Sequence, residues 1–237
     1  MEESAIGRHR DVRAEVVLGG RVLHAAGLSD LVWGHVSMRD PGGRGVWMKA
    51  AGLGFEQVTD EDVLLVDDHG EVQDGRGARH REYPIHTELL RARPDAGSVV
   101  HVHPPHAIAM AAAGVELQAF SHVGGVFSAG VTSYDGAAGL VDTAESGAAL
   151  ATALGDGRAL LLAGHGVVTI GASVAIAVTT AVMLECACQL QLLVEGFGGV
   201  RAPYTAVEAG SVYAHTLTED HLLGAWRYLV AQAGSGN

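Results

Sequence analysis

The sequence predicts a single α/β domain with a largely antiparallel or mixed sheet. First, the 237 residues suit one domain, and a hydrophobic content of 48% is enough for a substantial core. Second, short runs rich in β-branched residues are joined by Pro-Gly-Gly and Asp-His-Gly turns, a pattern typical of β-hairpins. Third, other strands are separated by segments with helical spacing of apolar residues. A doubly wound parallel sheet, which needs regular alternation of strands and helices, fits this order poorly.

The individual elements follow from hydrophobic periodicity and from the residues that start or stop a helix. Apolar residues at helical spacing before Gly27 predict the first helix, and Pro84 falls in the first turn of a later one. The predicted strands are residues 36–39, 46–49, 62–67, 71–72, 99–103, 159–165 and 167–170. The predicted helices are residues 11–26, 84–93, 105–113, 143–154, 173–194 and 218–233.

The composition excludes several classes of protein. A net charge of −12, from 27 acidic and 15 basic residues without a Lys/Arg cluster, argues against nucleic-acid binding. The chain begins with an acidic segment rather than a signal peptide, and Cys186 and Cys188 would diverge on a helix, so a cytoplasmic protein is expected. Residues 173–194 are apolar but include Glu185, so we interpret them as a core or subunit-interface helix and expect no membrane partner.

Three histidines carry the strongest functional signal. His101 and His103 alternate behind two valines that favour a strand, so both imidazoles are expected on the same face where Pro104 ends that strand. His165 follows a second apolar strand, and the glycines on both sides leave room around its imidazole. Three histidines with open positions are typical of a catalytic metal site. We therefore predict a divalent metal ion on these three side chains; for each histidine alone, a structural role is the alternative.

Other polar residues near these motifs have weaker assignments. His106 belongs to the same cluster but falls in the first turn of the next helix, where it supports the ligands or caps the helix as readily as it binds metal. His80 is likewise assigned to the surroundings of the ligands, with a surface or packing role as the default. Glu82 precedes a helix, and a carboxylate there can bind the open metal or move a proton to substrate carbon. By position alone, an interaction with the helix dipole is favoured for Glu82.

Together these pieces resemble the class II aldolase/adducin family. The matching pieces are Gly34-His35-Val36-Ser37, Ala51-Gly52, Glu82, Arg93-Pro94-Asp95, His101-Val102-His103 and Gly164-His165-Gly166 with Val167 and Gly171, in the family's order. The resemblance implies a three-layer α/β/α fold with a central, mostly antiparallel sheet over residues 1–237. It also implies a metal on the three histidines and Glu82 as the acid/base. A homotetramer with active sites at subunit boundaries is usual in the family.

The departures from the family point to a particular substrate class. Family members that act on sugar phosphates bind the phosphate with an asparagine, hydroxyl side chains and glycines, whereas this chain has His35, Ala51 and His80-Arg81 at those places. Arginine can hold a carboxylate by two parallel hydrogen bonds. We therefore predict substrate contacts from Arg81, His35, Ser37 and Gly52, with a surface ion pair as the alternative for Arg81.

The pattern is similar to the family branch that decarboxylates aromatic hydroxy-dicarboxylates such as dihydroxyphthalate. We expect a metal-dependent decarboxylase of aromatic catabolism that uses Mn, Zn, Co or Fe, with Mn or Zn favoured. The alternatives are an aldolase that cleaves a sugar, a sugar phosphate or a hydroxy-acid, and a non-catalytic adducin-like assembly module. Residues 200–237 are expected at a subunit interface, where Tyr204, Tyr213 or His215 would complete a neighbour's site or simply pack.

Overall fold

The computed structural model describes residues 12–136 and 139–235, in which three hairpins and two further strands build one sheet. The strands are β1 (His35–Arg39), β2 (Val46–Lys49), β3 (Val63–Val66), β4 (Val72–Asp74), β5 (Ser98–Val102), β6 (Thr132–Tyr134), β7 (Ala159–Leu162) and β8 (Gly166–Gly171). They form an eight-stranded sheet in the order β4-β3-β2-β1-β5-β8-β7-β6. Among the strand pairs of residues 12–136 and 139–235, only β6–β7 is parallel. The predicted mostly antiparallel sheet is therefore confirmed.

Helices cover both faces of the sheet. They are α1 (Val12–Ala25), α2 (Tyr83–Ala92), α3 (Pro105–Ala112), α4 (Ala144–Leu154), α5 (Val174–Glu195), α6 (Ala206–Thr216) and α7 (Glu219–Gly234). One buried cluster joins a sheet face to α1, α3, α5 and α7, and a second cluster joins the opposite face to α2 and α4. These two cores on opposite faces confirm the predicted three-layer α/β/α architecture.

The long helix α5 is the core helix of the larger cluster. Its 22 residues have a mean hydropathy of 1.6, and among residues 12–136 and 139–235 it is the one helix long and apolar enough to span a membrane. In the 18-residue stretch of α5 on which this judgement rests, 56% is buried inside the protein. Ser173 caps the helix by accepting a hydrogen bond from the backbone N–H of Ile176. The predicted extent of residues 173–194 agrees with the structure to within a residue.

Two local differences from the sequence-based elements have clear causes. Helix α6 was not predicted, although Thr205 and Glu208 form a reciprocal capping box at its start, and this Thr-x-x-Glu pattern is readable in the sequence. Strand β7 ends at Leu162 rather than reaching His165, because Gly164 takes a positive φ of 68° and turns the chain. His165 therefore lies in the tight turn between β7 and β8.

The sheet register brings the polar motifs to one face. His35 on β1 lies directly opposite His101 on β5, and Val102 on β5 lies opposite Val167 on β8. Because side chains alternate along a strand, His35, Ser37 and His101 share the sheet face that α2 covers. The C-terminal end of β5 is thus placed beside the first turn of α2 and the β7–β8 turn.

Candidate metal centre

The three predicted metal ligands meet at the end of β5. His101 is the penultimate residue of that strand, His103 lies just beyond its end, and His165 approaches from the β7–β8 turn. One ligand nitrogen from each lies within 4.8 Å of the others. The His101 ring centroid is 4.7 Å from that of His103 and 4.9 Å from that of His165. The three rings therefore lie close enough together for one ion to contact a nitrogen of each.

The hydrogen bonds of these histidines leave nitrogens available for a cation. The Nδ1–H of His101 donates to the carbonyl oxygen of Val167 at 3.0 Å, which leaves Nε2 without a proton in the neutral ring. His101 Nε2, His103 Nδ1 and His165 Nδ1 are buried without a hydrogen-bond partner in the described residues. Burial lowers the pKa of His101 well below its usual value and lowers that of His103 as well. His103 Nδ1 also lies 3.3 Å from Asp30 Oδ2. Three imidazole nitrogens at such spacing fit a divalent metal.

Glu82 faces this group of histidines from the start of α2. Its Oε2 is 3.7 Å from His101 Nε2, and its Oε1 is 3.6 Å from His165 Nε2. The side chain makes no capping bond to α2; instead, Oε1 accepts the backbone N–H of Val141 at 3.1 Å. Burial raises the pKa of Glu82, while the Val141 bond acts in the opposite direction. A buried carboxyl with a raised pKa beside a metal site is suited to acid–base chemistry.

Two of the predicted substrate contacts, His35 and Ser37, lie in the protein interior next to Glu82. His35 is almost fully buried, with its Nε2 3.9 Å from Glu82 Oε2 and its Nδ1 2.6 Å from His86 Nε2. Ser37 is completely buried, and its Oγ is 2.6 Å from His86 Nδ1. Within the described structure, Ser37 is therefore separated from the ligands by two imidazoles, and a direct substrate contact does not fit its position.

A cavity of about 550 Å³ opens in front of the histidines and Glu82. Its walls are formed by Asp30, Val32, Trp33, Ala51, Gly52, Arg79, His80, Arg81, Glu82, His103, Leu140 and His165. Gly52 has a positive φ of 84°, and a Cβ there would meet open space, so glycine is required by the backbone rather than by crowding. The cavity brings together the predicted Gly52, Arg81 and Glu82 with two of the three histidines.

Arg81 lies at the outer wall of this cavity. Its Nη2 is 2.7 Å from Asp142 Oδ2, and 73% of its side chain is exposed. Val141, next to Asp142, is the residue that holds Glu82. Arg81 thus lines the cavity and also makes the ion pair that was its alternative role.

A buried lysine supports the cavity floor from below. Lys49 Nζ donates to the carbonyl oxygens of Val32 at 3.0 Å and Leu53 at 2.7 Å, and it lies 3.1 Å from His80 Nε2. These three partners match the three N–H donors of an ammonium group. Burial lowers the pKa of Lys49 to about 8 and that of His80 to about 3, so His80 is a neutral acceptor for Lys49. The Lys49 side chain therefore ties both loops that line the cavity to His80.

Residues 14–192 match the family described as Class II Aldolase and Adducin N-terminal domain. The chain belongs to this family. It is 34% identical to a 3,4-dihydroxyphthalate decarboxylase of Arthrobacter keyseri over 81% of this chain and 82% of the relative. It is also 34% identical to a 3,4-dihydroxyphthalate decarboxylase of Terrabacter sp. (strain DBF63), over 90% and 93% of the two chains. The predicted family and the predicted likeness to its decarboxylase branch are thereby confirmed.

The fold of this class II aldolase/adducin domain is also that of a solved family structure. It superimposes on the L-fuculose 1-phosphate aldolase from Glaciozyma antarctica PI12 with a TM-score of 0.82 and 25% sequence identity. The superposition covers 94% of this chain and 88% of the other. The sheet order and the two helical layers described above are thus those of the class II aldolase fold.

His106 is held away from the ligand group in this class II aldolase/adducin domain. Its Nδ1 lies 2.6 Å from Glu185 Oε1, and the backbone N–H groups of His106 and Ala107 donate to the same carboxylate. Pro104, at the N-cap of α3, offers no capping side chain, so Glu185 from α5 caps the helix instead. His106 therefore lies in the capping region of α3, which was the predicted alternative to metal binding.

The three predicted C-terminal residues contact other parts of the described chain. The backbone N–H of Tyr204 donates to Ala119, Tyr213 lies under the guanidinium of Arg158, and His215 bonds within α6. None of the three predicted C-terminal residues lines the cavity in the described structure.

Proposed function

We propose that this protein is a divalent-metal-dependent lyase that decarboxylates a hydroxylated aromatic dicarboxylate. The main support is the buried Glu82 carboxyl group, which faces the three histidines. Glu82, His103 and His165 line the cavity of about 550 Å³. The relatives named as 3,4-dihydroxyphthalate decarboxylases supply the substrate class. No serine or threonine belongs to the cavity wall within the described residues, which disfavours a phosphate-binding subsite.

The proposed reaction assigns separate tasks to the residues of this site. His101, His103 and His165 would hold the metal, which when bound supplies a Lewis acid beside the substrate's ring hydroxyl. The bond between the ring and its carboxylate breaks, CO₂ leaves, and the electron pair remains on the ring carbon. Glu82, protonated at the start of this step, transfers its proton to that carbon, and its raised pKa favours the protonated form.

The second carboxylate of the substrate is proposed to bind at the cationic wall. Arg81 would exchange its ion pair with Asp142 for a bidentate contact with that carboxylate. The buried ammonium of Lys49 lies beneath the same wall, bonded to His80. Its charge favours an anion in the cavity without direct contact.

The alternative function is retro-aldol cleavage of a sugar phosphate or hydroxy-acid. It is favoured by the structural likeness to the L-fuculose 1-phosphate aldolase, because an enediolate needs the same metal and the same acid/base. A non-catalytic adducin-like module is a weaker alternative, since this chain keeps the three-histidine group and Glu82 together.

Assembly and location are part of the same proposal. Exposed apolar side chains flank the cavity mouth, with Trp33 55% and Leu140 49% exposed, and Phe197 is 89% exposed beyond the end of α5. Exposed apolar groups of this kind are typical of protein interfaces. We propose a homotetramer with active sites at subunit boundaries. A cytoplasmic location and a place in aromatic catabolism stay predictions.

An anaerobic turnover assay with the Zn²⁺- and Mn²⁺-loaded protein tests the proposed function. We expect CO₂ from 3,4-dihydroxyphthalate and no carbonyl product from a ketose 1-phosphate offered separately. Carbonyl product from the sugar phosphate, without CO₂ from the diacid, would favour the aldolase alternative. Absence of both products with metal bound would contradict the proposal.

Arg81→Met is expected to raise KM for 3,4-dihydroxyphthalate about tenfold, because one charged hydrogen-bonded contact is removed. KM for 2,3-dihydroxybenzoate, which lacks the second carboxylate, should change little. The matched control is Arg76→Met, since Arg76 is exposed in the same part of the chain and does not line the cavity. Steady-state kinetics with both acids check the prediction, and an equal effect on both would place Arg81 elsewhere in the mechanism.

A further inference from the structure

We infer that Ser37, His86 and His35 form a buried hydrogen-bonded chain that presents an N–H group of His35 to the carboxylate of Glu82. These residues are positioning residues, and the inference rests on the acid–base role proposed for Glu82. The chain runs from Ser37 Oγ to His86 Nδ1 at 2.6 Å and from His86 Nε2 to His35 Nδ1 at 2.6 Å. It ends at His35 Nε2, which is 3.9 Å from Glu82 Oε2.

Two regular spacings in the sequence create this chain. His35 and Ser37 are two residues apart on β1, so both side chains leave the same face of the sheet. Glu82 and His86 are four residues apart at the start of α2, so both lie on the helix face toward that sheet. The chain thus alternates between strand and helix, and packing of α2 on β1 fixes its geometry.

The hydrogen-bonded chain lies in the interior of the protein. Ser37, His35 and His86 are each 1% exposed or less. Burial lowers the pKa of His86 to about 3, so its ring is neutral and carries one N–H. A buried polar group without a partner destabilises the fold, and here each inner atom has one.

The surroundings decide the direction of the hydrogen bonds. Ser37 Oγ has no partner other than His86 among the described residues, so its hydrogen is satisfied only by donation to His86 Nδ1. His86 Nε2–H then donates to His35 Nδ1, and the proton of His35 is left on Nε2. In the reverse direction the hydroxyl hydrogen of Ser37 would lack an acceptor among the described residues, and a bare His35 Nε2 would face Glu82 after that group has given up its proton.

The contrast with His101 supports the same conclusion. The carbonyl oxygen of Val167 can only accept, so His101 must carry its proton on Nδ1 and present a bare Nε2. The partner of His35 is an imidazole, which can donate. The two rings, opposite each other across β1 and β5, are therefore prepared for different tasks: His101 for a cation and His35 for an anion.

The direct test is ¹⁵N NMR of the Zn²⁺-loaded protein labelled in histidine, because ¹⁵N shifts separate protonated from bare ring nitrogens. We expect His35 and His86 each to have a bare Nδ1 and a protonated Nε2, with signals assigned from His35→Gln and His86→Gln. A bare His35 Nε2, whether free or bound to Zn²⁺, would overturn the inference. This readout needs no turnover, so it separates failure of the inference from failure of the proposed reaction.

A kinetic test follows from Ser37→Ala, with Ser98→Ala as the matched control. Ser98 is also buried, and its Oγ donates to the Ser37 carbonyl oxygen at 2.6 Å. It is not part of the hydrogen-bonded chain of Ser37, His86 and His35. Ser37→Ala should lower kcat for CO₂ release about 10- to 100-fold with KM and Zn²⁺ content unchanged, and Ser37→Thr should restore much of it. Equal kcat values for Ser37→Ala and Ser98→Ala, or unchanged His35 signals in Ser37→Ala, would contradict the inference.

Discussion

Glu82→Gln is expected to keep its bound metal and to lower kcat by about 10²- to 10⁴-fold, the range typical of a lost acid–base group. Glutamine has nearly the shape of glutamate and can still accept the N–H of Val141, so the local fold should be kept. It cannot give a proton to a carbanionic carbon. The measurement is kcat for CO₂ release, together with metal content of the same preparation.

Glu88→Gln is the control for Glu82→Gln. Glu88 is also buried on α2, but its carboxylate pairs with Arg91 at 2.6 Å and does not line the cavity. It should lose some stability and keep turnover. Full activity of Glu82→Gln would remove Glu82 from the mechanism, whereas loss of metal in that variant would make it a ligand.

His165→Ala is expected to abolish stoichiometric metal binding and, with it, turnover. The remaining His101 and His103 would leave a two-nitrogen site, and removing one of three ligands from an open site weakens binding severely. In the wild type, metal at 100 times its Kd should raise the free energy of unfolding by about 2.7 kcal/mol. Thermal or urea unfolding with and without Zn²⁺ should show this increase in the wild type and not in His165→Ala.

His106→Ala provides the comparison within the same cluster. Because His106 is bonded to Glu185, its removal should reduce the unfolding free energy but leave the metal-dependent increase intact. If His106→Ala also lost metal, the assignment of ligands from the present geometry would be wrong.

The sequence predicts the site where local spacing alone places a side chain. His101 and His103 alternate on one strand, so their convergence required only the period of a strand. His165 was expected at a strand end, and the structure places it in a turn, because the positive φ of Gly164 bends the chain before it. The histidine is still delivered to the same point.

Residues whose roles depend on distant backbone atoms were not predicted. Lys49 looks like the polar end of a short strand, and nothing local indicates that carbonyl groups of two loops surround it. Glu185 is a polar residue in a largely apolar helix, and its partner His106 on α3 lies 79 residues earlier. For Ser37, alternation gives the correct face but cannot tell whether a cavity or a second imidazole lies above it. Such contacts depend on packing of elements far apart in the chain.

The short outer strands restrict how copies of this chain can associate. The sheet ends on both sides in strands of three residues, β4 and β6, and all three residues of β4 are exposed. Its last residue, Asp74, is paired with Arg13 at 3.0 Å, which places charge on that edge. Short edge strands offer few free backbone groups for strand addition, and the charge on the β4 edge further protects against aggregation. We therefore expect the proposed tetramer to use side chains of helices and loops, such as Leu193 and Phe197 near the end of α5, rather than a sheet continued from one copy to the next.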